Sequence, residues 1–590
     1  MSTSTLLCPH LWGLCFALAA LLSAAATTTL ADDGVAPISP QLVLVGGKIV
    51  TVDDQFRVAE ALAVRDGKIL RVGTSEEILS LVRDETKVID LGGKVVIPGL
   101  IDSHVHPSSA SMHEFDHPVP DMQSIADVLA YIKSRAMVLP EGEWIVVRQV
   151  FITRLKEPRY PTRRELDEVA PKHPVLFSTG PDAMCNSLAL TLSEITRDTV
   201  VTGTGFIEKD RATGEPTGLL RNCTRLVKTK SSGKTATEDD RLARLEQLFA
   251  AYNRVGITTV ADKNASGDDI SRYSKLKSEQ RLSVRLRLSH ALDGSAKIEA
   301  IEERLRQIIA HPLTQPDEQL QIIGVKSFLD GGMLTGSAYM REPWGVSEVY
   351  SISDPEYRGV RMIDDEKLVA MVRQTAAAGL QFTAHSVGDG AVTALLEAYA
   401  RVNAETPIAA TRPCITHCNF LTADAIERMH ELGVVADIQP AWLYLDARTL
   451  HGQFGEKRLR YFQPLKTLIE RGVTVGGGSD HMQKLDPLLS INPYDPWLGI
   501  STTITREARW FDQKLHAEEC LTRAQALRFY TALNARVLRM ETFAGTIEPG
   551  KQADLVILDR DLLTCDVAEI RGTKVLATYL GGRLVYEAPR

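Results

Sequence analysis

The stretch Val95-Val96-Ile97-Pro98-Gly99-Leu100-Ile101-Asp102-Ser103-His104-Val105-His106-Pro107 decides how the rest of the chain is read. Its apolar, β-branched run predicts a buried strand with two imidazoles at the C-terminal end. Side chains alternate faces along a strand, so His104 and His106 point the same way. Two neutral imidazoles converging on one point can chelate a divalent metal such as zinc. A lone His-x-His is more often a pair of ordinary loop histidines. The metal reading therefore depends on whether the rest of the chain supplies further ligands.

Working outward, apolar runs alternate with helical stretches, as in a parallel α/β fold. After the run ending at His106, strand-like segments fall at 255–260, 282–288, 322–326, 380–385, 414–417, 434–438 and 473–475. That makes eight, and a (β/α)8 barrel over residues 99–535 is the economical reading. The long segment from 108 to about 240 separates the first two strands and reads as an inserted subdomain over the barrel mouth. Short β-rich runs joined by Gly46-Gly47, Asp66-Gly67 and Gly581-Gly582 turns mark both chain ends. Neither end makes a convincing sandwich by itself. Together, residues 32–98 and 536–590 are expected to form one small composite β-sandwich beside the barrel.

Residues 1–31 contain no Asp, Glu, Lys or Arg, and 11–26 is a run rich in Leu and Ala. A spanning helix needs ~20 apolar residues, so this run reads as a secretory signal peptide cleaved near Ala31. Its n-region departs from the usual pattern, having only the amino terminus and His10 where Lys or Arg is expected. The expectation is an exported protein, periplasmic or secreted, with no membrane span in its mature form. The net charge of −8 provides no basic face for nucleic acid and no polybasic patch for anionic lipid. The expected partner is a small-molecule substrate, and the sequence leaves oligomeric state open. Six cysteines follow the leader (Cys185, Cys223, Cys414, Cys418, Cys520 and Cys565), too scattered for a disulfide scaffold. Cys414 and Cys418 lack a matching second pair and read as packing residues.

Reactive groups of such barrels gather at the C-terminal ends of the strands. His104, His106, Lys326, His385, His417 and Asp480 all fall there. Any one of them alone reads as a hydrogen-bonded core residue, or in the case of Asp480 as a turn residue after three glycines. Strands one, four, five, six and eight each end in a ligand-type residue, and that joint pattern points to a metal site. His113 and His117 read instead as solvated or lid residues, and Arg154, Arg159, Arg163 and Arg164 as a solvated charged face. Trp344, Trp442 and Tyr444 read as packing residues with pocket lining as the alternative.

Five stretches carry a family resemblance: Pro98 to His106, Val325-Lys326-Ser327-Phe328-Leu329-Asp330-Gly331, Ala384 to Asp389, Ile415-Thr416-His417 and Gly478-Ser479-Asp480-His481. They resemble the amidohydrolase superfamily, and more closely its type-3 branch, which includes N-substituted formamide deformylases. Gly214-Glu215-Pro216-Thr217-Gly218 and the segment 545–555 fit as well, so the likeness spans essentially the whole mature chain. The resemblance implies a distorted (β/α)8 barrel with a composite β-sandwich. It also implies His104 and His106 on one metal, His385 and His417 on a second, Lys326 bridging as a carbamate, and Asp480 completing the first site. Branches of the superfamily differ in using one or two metals. This chain also departs from the pattern at Pro181, upstream of Asn186-Ser187, where relatives often carry a histidine that faces the pocket.

A bound divalent metal lowers the pKa of its water towards ~7 and polarises a carbonyl oxygen. Asp480 then accepts the water's proton and returns it to the leaving nitrogen. The leading expectation is a metal-dependent hydrolase of a non-peptide C–N bond in an amide, N-acyl or N-formyl compound. A mononuclear deaminase of a cyclic substrate is the second reading. A catalytically silent binding protein is the third, and the complete ligand set weighs against it. A lysine whose ammonium pairs with Asp330 is the alternative for Lys326.

Overall fold

The computed structural model describes residues 39–590 apart from 149, 181, 203–204, 231–232 and 590. The expected signal peptide and Pro181 lie outside the described residues. Among the described residues no helix is long and apolar enough to cross a membrane.

Eight parallel strands form the central sheet: Leu100–Val105 (β1), Ile257–Ala265 (β2), Arg285–Ala291 (β3), Leu320–Phe328 (β4), Gln381–Ser386 (β5), Cys414–His417 (β6), Val435–Ile438 (β7) and Val475–Gly477 (β8). They pair in chain order from β1 to β8, with helices on the outer face. Each of the eight overlaps the segment read as a strand, with bounds shifted by two or three residues at β3 and β8, and β3 carries buried Arg285 and Arg287 beside its leucines. The ring nearly closes between its first and last strands. Asp480 N–H donates to the His104 carbonyl at 2.7 Å, and His106 N–H to the His481 carbonyl at 2.8 Å. The seam thus draws the backbone beyond β8 onto the end of β1.

The opening run differs from its reading as a single strand. It breaks at Gly99 into Val95–Pro98 and β1, which belong to different sheets. A Cβ at Gly99 would stand 2.1 Å from the Thr258 hydroxyl, so only glycine lets the chain cross here. Val95–Pro98 pairs antiparallel with Leu555–Leu558, placing N- and C-terminal strands side by side in a six-stranded sheet. A four-stranded sheet (Lys68–Gly73, Ala61–Arg65, Leu42–Val45, Lys87–Asp90) shares a core with it through Leu44, Leu62, Val96 and Ile557. This is the composite sandwich.

Between β1 and β2 a five-stranded sheet, ordered Phe206–Lys209, Pro216–Arg221, Ala183–Cys185, Val175–Ser178 and Ile145–Arg148, packs with its own helices and its own apolar clusters. The loop after β4 and the segment after β7, which opens with the helix Pro440–Arg458, build a further cluster around Trp344, Tyr350, Trp442 and Phe462. Trp344 is buried there as a packing residue.

Candidate metal centre and active site

Local sequence explains why β1 ends as it does. Buried Asp102 accepts the backbone N–H groups of His104 and Ser479 at 3.0 Å each and the Ser479 hydroxyl at 2.6 Å. One carboxylate therefore ties the end of β1 to the turn after β8. Burial pushes the pKa of Asp102 up to about 7. A Cβ at Gly478 would stand 2.3 Å from the Asp102 carboxylate and 2.4 Å from the His104 nitrogen, so the approach requires glycine. Asp480 follows with φ +56°, and His417 and Cys418 at the end of β6 have φ +74° and +49°. Left-handed backbone at non-glycine residues costs about 1–3 kcal/mol each and clusters at functional sites.

His104, His106 and Asp480 converge, their ligand atoms all lying within 4.8 Å of one another. Both Nε2 atoms face one oxygen: Asp480 Oδ1 is 3.3 Å from His104 and 3.1 Å from His106. The ring of His417 is 5.0 Å from that of His104 and 4.4 Å from that of His385, so four imidazoles adjoin. Lys326 lines the same cavity, of about 490 Å³, together with all four histidines and Asp480. All six predicted residues therefore meet at one place.

The residues fit a divalent metal. His104 Nε2 is fully buried and has no hydrogen-bond partner, although Asp480 stands opposite. Burial pushes His104 and His417 well below the usual imidazole range, and His385 to about 3, leaving neutral rings with free lone pairs. Their remaining nitrogens are held. His104 Nδ1 lies 3.2 Å from Asp437, His417 Nδ1 lies 2.8 Å from the Gln439 side-chain oxygen, and His385 Nε2 lies 3.2 Å from the Gly331 carbonyl. Such outer partners orient ligating imidazoles. His106 has Asp262 3.8 Å from its Nδ1.

Lys326 is buried, and burial lowers its pKa to about 8. Asp330, the alternative partner, is taken up elsewhere: its carboxylate accepts the backbone N–H groups of Tyr339 and Val387 at 3.0 Å and of Gly388 at 2.9 Å. Among the described residues no Lys326–Asp330 ion pair forms.

Other residues take different places. His117 is held between Asp116 and the Tyr131 hydroxyl, at 2.8 Å each, away from the ligands. Arg154 is not part of a solvated face. It is 3% exposed, pairs with Asp446 at 2.7 Å, and donates at 2.7 Å to the side-chain oxygen of Asn492. Trp442 stacks on His417 at 4.8 Å and lines the cavity. Cys185, Cys223, Cys414, Cys418, Cys520 and Cys565 are free, with Cys414 and Cys418 buried.

Sequence reasoning overlooked Asp437, Gln439, Asp262 and Asn492. The first three had a signal, since carboxylates and an amide near the ends of apolar strands are costly unless they are employed. Asn492 sits in a loop whose path no periodicity reveals.

The sequence matches the amidohydrolase family over residues 87–586. The chain belongs to the amidohydrolase family. This amidohydrolase is 28% identical over 564 residues to N-substituted formamide deformylase of Arthrobacter pascens, covering 92% of this chain and 98% of that one. It is 28% identical over 567 residues to protein LONG AFTER FAR-RED 3 of Arabidopsis thaliana, covering 93% and 92%. In fold it resembles an uncharacterized metal-dependent hydrolase from Pyrococcus horikoshii OT3, with a TM-score of 0.65 at 22% identity over 89% of this chain and 99% of that one. Family membership and the His-His-Asp cluster make the amidohydrolase a metal-dependent hydrolase.

Proposed function

We propose that this amidohydrolase cleaves a non-peptide C–N bond in an amide, N-acyl or N-formyl compound, with Asp480 as general base and then general acid. The observation that carries this reading is the position of Asp480 Oδ1, within 3.3 Å of both His104 and His106 Nε2 at the mouth of the barrel. His104, His106 and Asp480 would hold one divalent metal, zinc in this reading, His385 and His417 a second, and carboxylated Lys326 would be shared by both. When bound, such a metal polarises a carbonyl and makes water acidic enough to ionise near neutral pH.

The chain's own residues do the rest. Asn492 donates to Asp480 Oδ2 at 3.1 Å and leaves Oδ1 to meet the attacking water. Asp480 Oδ1 takes the water's proton as the carbonyl carbon is attacked, then returns it to the amide nitrogen, which leaves poorly without it. Phe151, Phe328, Met333, Leu334 and Met362 line the cavity with apolar surface that holds the substrate's carbon framework and excludes bulk water. The match to the Arthrobacter deformylase supports an N-formyl or N-acyl compound as substrate.

The test is metal analysis of purified protein combined with a panel of N-formyl amines, N-acyl amines and amino-substituted heterocycles. Release of a carboxylic acid together with an amine, dependent on bound metal, is the expected result. Ammonia release from the heterocycles alone would replace this reading with a deaminase.

A further inference from the structure

A second cavity, of about 350 Å³, lies behind the wall that Phe151 presents to the first. Its charge is unlike that of the catalytic cavity. Arg148, Lys484, Arg509 and Arg571 all line it, and among the described residues none of the four makes an ion pair. Arg154, which also lines it, is already neutralised by Asp446.

The hydrogen-bond and ring partners of Lys484, Arg571 and Arg509 are neutral, although Asp446 and Asp121 lie near enough to Arg509 to act on its charge. Lys484 Nζ donates to the Val119 carbonyl at 2.7 Å. Arg571 lies over the Tyr444 ring at 4.6 Å and donates to the Ser501 hydroxyl at 3.3 Å. Arg509 lies over the Trp510 ring at 4.2 Å and donates to the Arg154 carbonyl at 3.0 Å. Its Nε is buried with no acceptor, a costly arrangement for a charged donor.

Two acids line the cavity, and both have partners. Asp495 accepts the Trp497 and Leu498 N–H groups at the start of the helix Pro496–Thr505, at 2.7 and 3.1 Å, and Asp121 accepts the Gln123 amide at 2.6 Å. The surplus of positive charge reaches His113, whose pKa falls to about 4 through burial and the charges of Lys484, His117 and Arg148. At the rim, Leu488 and Leu489 stand 54% and 49% exposed, an adjacent apolar pair beside a cationic floor.

We propose that this cavity binds a small organic anion, a carboxylate carrying an apolar chain, with Arg148, Lys484, Arg509 and Arg571 around the carboxylate and Leu488-Leu489 against the chain. Guanidinium groups suit a carboxylate because they present paired donors in its plane. The apolar rim separates this ligand class from a bare inorganic anion, and the four cations separate it from a neutral alcohol.

Titration calorimetry on the full protein tests the assignment, with octanoate, octanol and inorganic phosphate as probes. Octanoate should saturate one site, while octanol and phosphate bind at least tenfold more weakly. Arg148→Gln/Arg571→Gln should weaken octanoate at least tenfold with unchanged thermal unfolding, since both side chains are exposed. Arg148→Lys/Arg571→Lys, which keeps the charge, should retain most of the affinity. Three results overturn the proposal: no saturation by octanoate, octanol or phosphate binding as tightly, or octanoate affinity untouched by the glutamine pair. The last result would place octanoate at the catalytic cavity instead.

Discussion

Asn492 donates its side-chain amide to Asp480 twice, to the backbone carbonyl at 2.7 Å and to carboxylate Oδ2 at 3.1 Å. The Asn492 oxygen in turn receives Arg154 at 2.7 Å and the Trp442 ring N–H at 3.1 Å. A residue of the inserted segment is thereby linked to the proposed base through one amide. Asn492→Ala should lower kcat by about 10–100-fold, the range typical of outer partners at metal sites. KM and bound metal should change little, because the ligands remain. Steady-state kinetics with metal analysis checks this, and wild-type kcat would leave Asn492 a packing role only.

Asp480→Asn keeps the shape of the side chain and removes the basic lone pair that takes the water's proton. Turnover should fall by ~10²–10⁴-fold, the usual worth of positioned acid–base catalysis. Metal should stay largely bound through His104 and His106. Near-normal turnover in a well-folded variant would remove Asp480 from the mechanism.

The barrel was legible because its strands are buried and most appear as short apolar runs between helical stretches, even where, as in β3, arginines alternate with the leucines. The ends of those runs pointed to the six residues that the structure brings into one cavity. Two things escaped. The split of the opening run at Gly99 depends on how closely β1 approaches Thr258, a tertiary contact with no local signature. The burial of Arg154 depends on Asp446 and Asn492, almost 300 residues or more further along the chain, and a charged residue in a polar stretch reads as solvated until its partner is known. Local pattern reports which face is apolar, not which distant polar group completes a buried network.

His113 should make the protein sensitive to acid. Its Nδ1 is buried with no hydrogen-bond partner, and burial with nearby positive charge brings its pKa to about 4, below the usual imidazole value of about 6.5. Between pH 6.5 and 4 the unfolded chain binds a proton that the folded chain refuses. Stability therefore rises with pH through this window and is lost as pH falls through it. Urea unfolding at pH 7 and pH 4.5 should show wild type losing about 1–2 kcal/mol more than His113→Gln. Equal losses would mean that His113 is protonated in the folded protein.

Export is expected from the uncharged, Leu- and Ala-rich leader. N-terminal sequencing of the protein from its native host should begin near Asp32. An intact Met1 on cytoplasmic protein would overturn the assignment.

Lys326 should carry a carbamate that bridges two metal ions. Its amine is fully buried, and burial brings its pKa to about 8, so a substantial neutral fraction exists near physiological pH. A neutral amine adds CO₂ and loses a proton to become an anion with two oxygens. An ammonium in the same place would be repelled by adjacent divalent cations. Asp330 offers it no pairing, since three backbone N–H groups occupy that carboxylate. The carbamate would also offset cationic charge that the neutral imidazoles of His104, His385 and His417 leave uncompensated. Lys326→Ala should lose metal and activity together, and a short carboxylic acid supplied in solution should restore part of both. A Lys326→Ala protein that keeps its full metal content and still turns over substrate would show that the lysine bridges nothing.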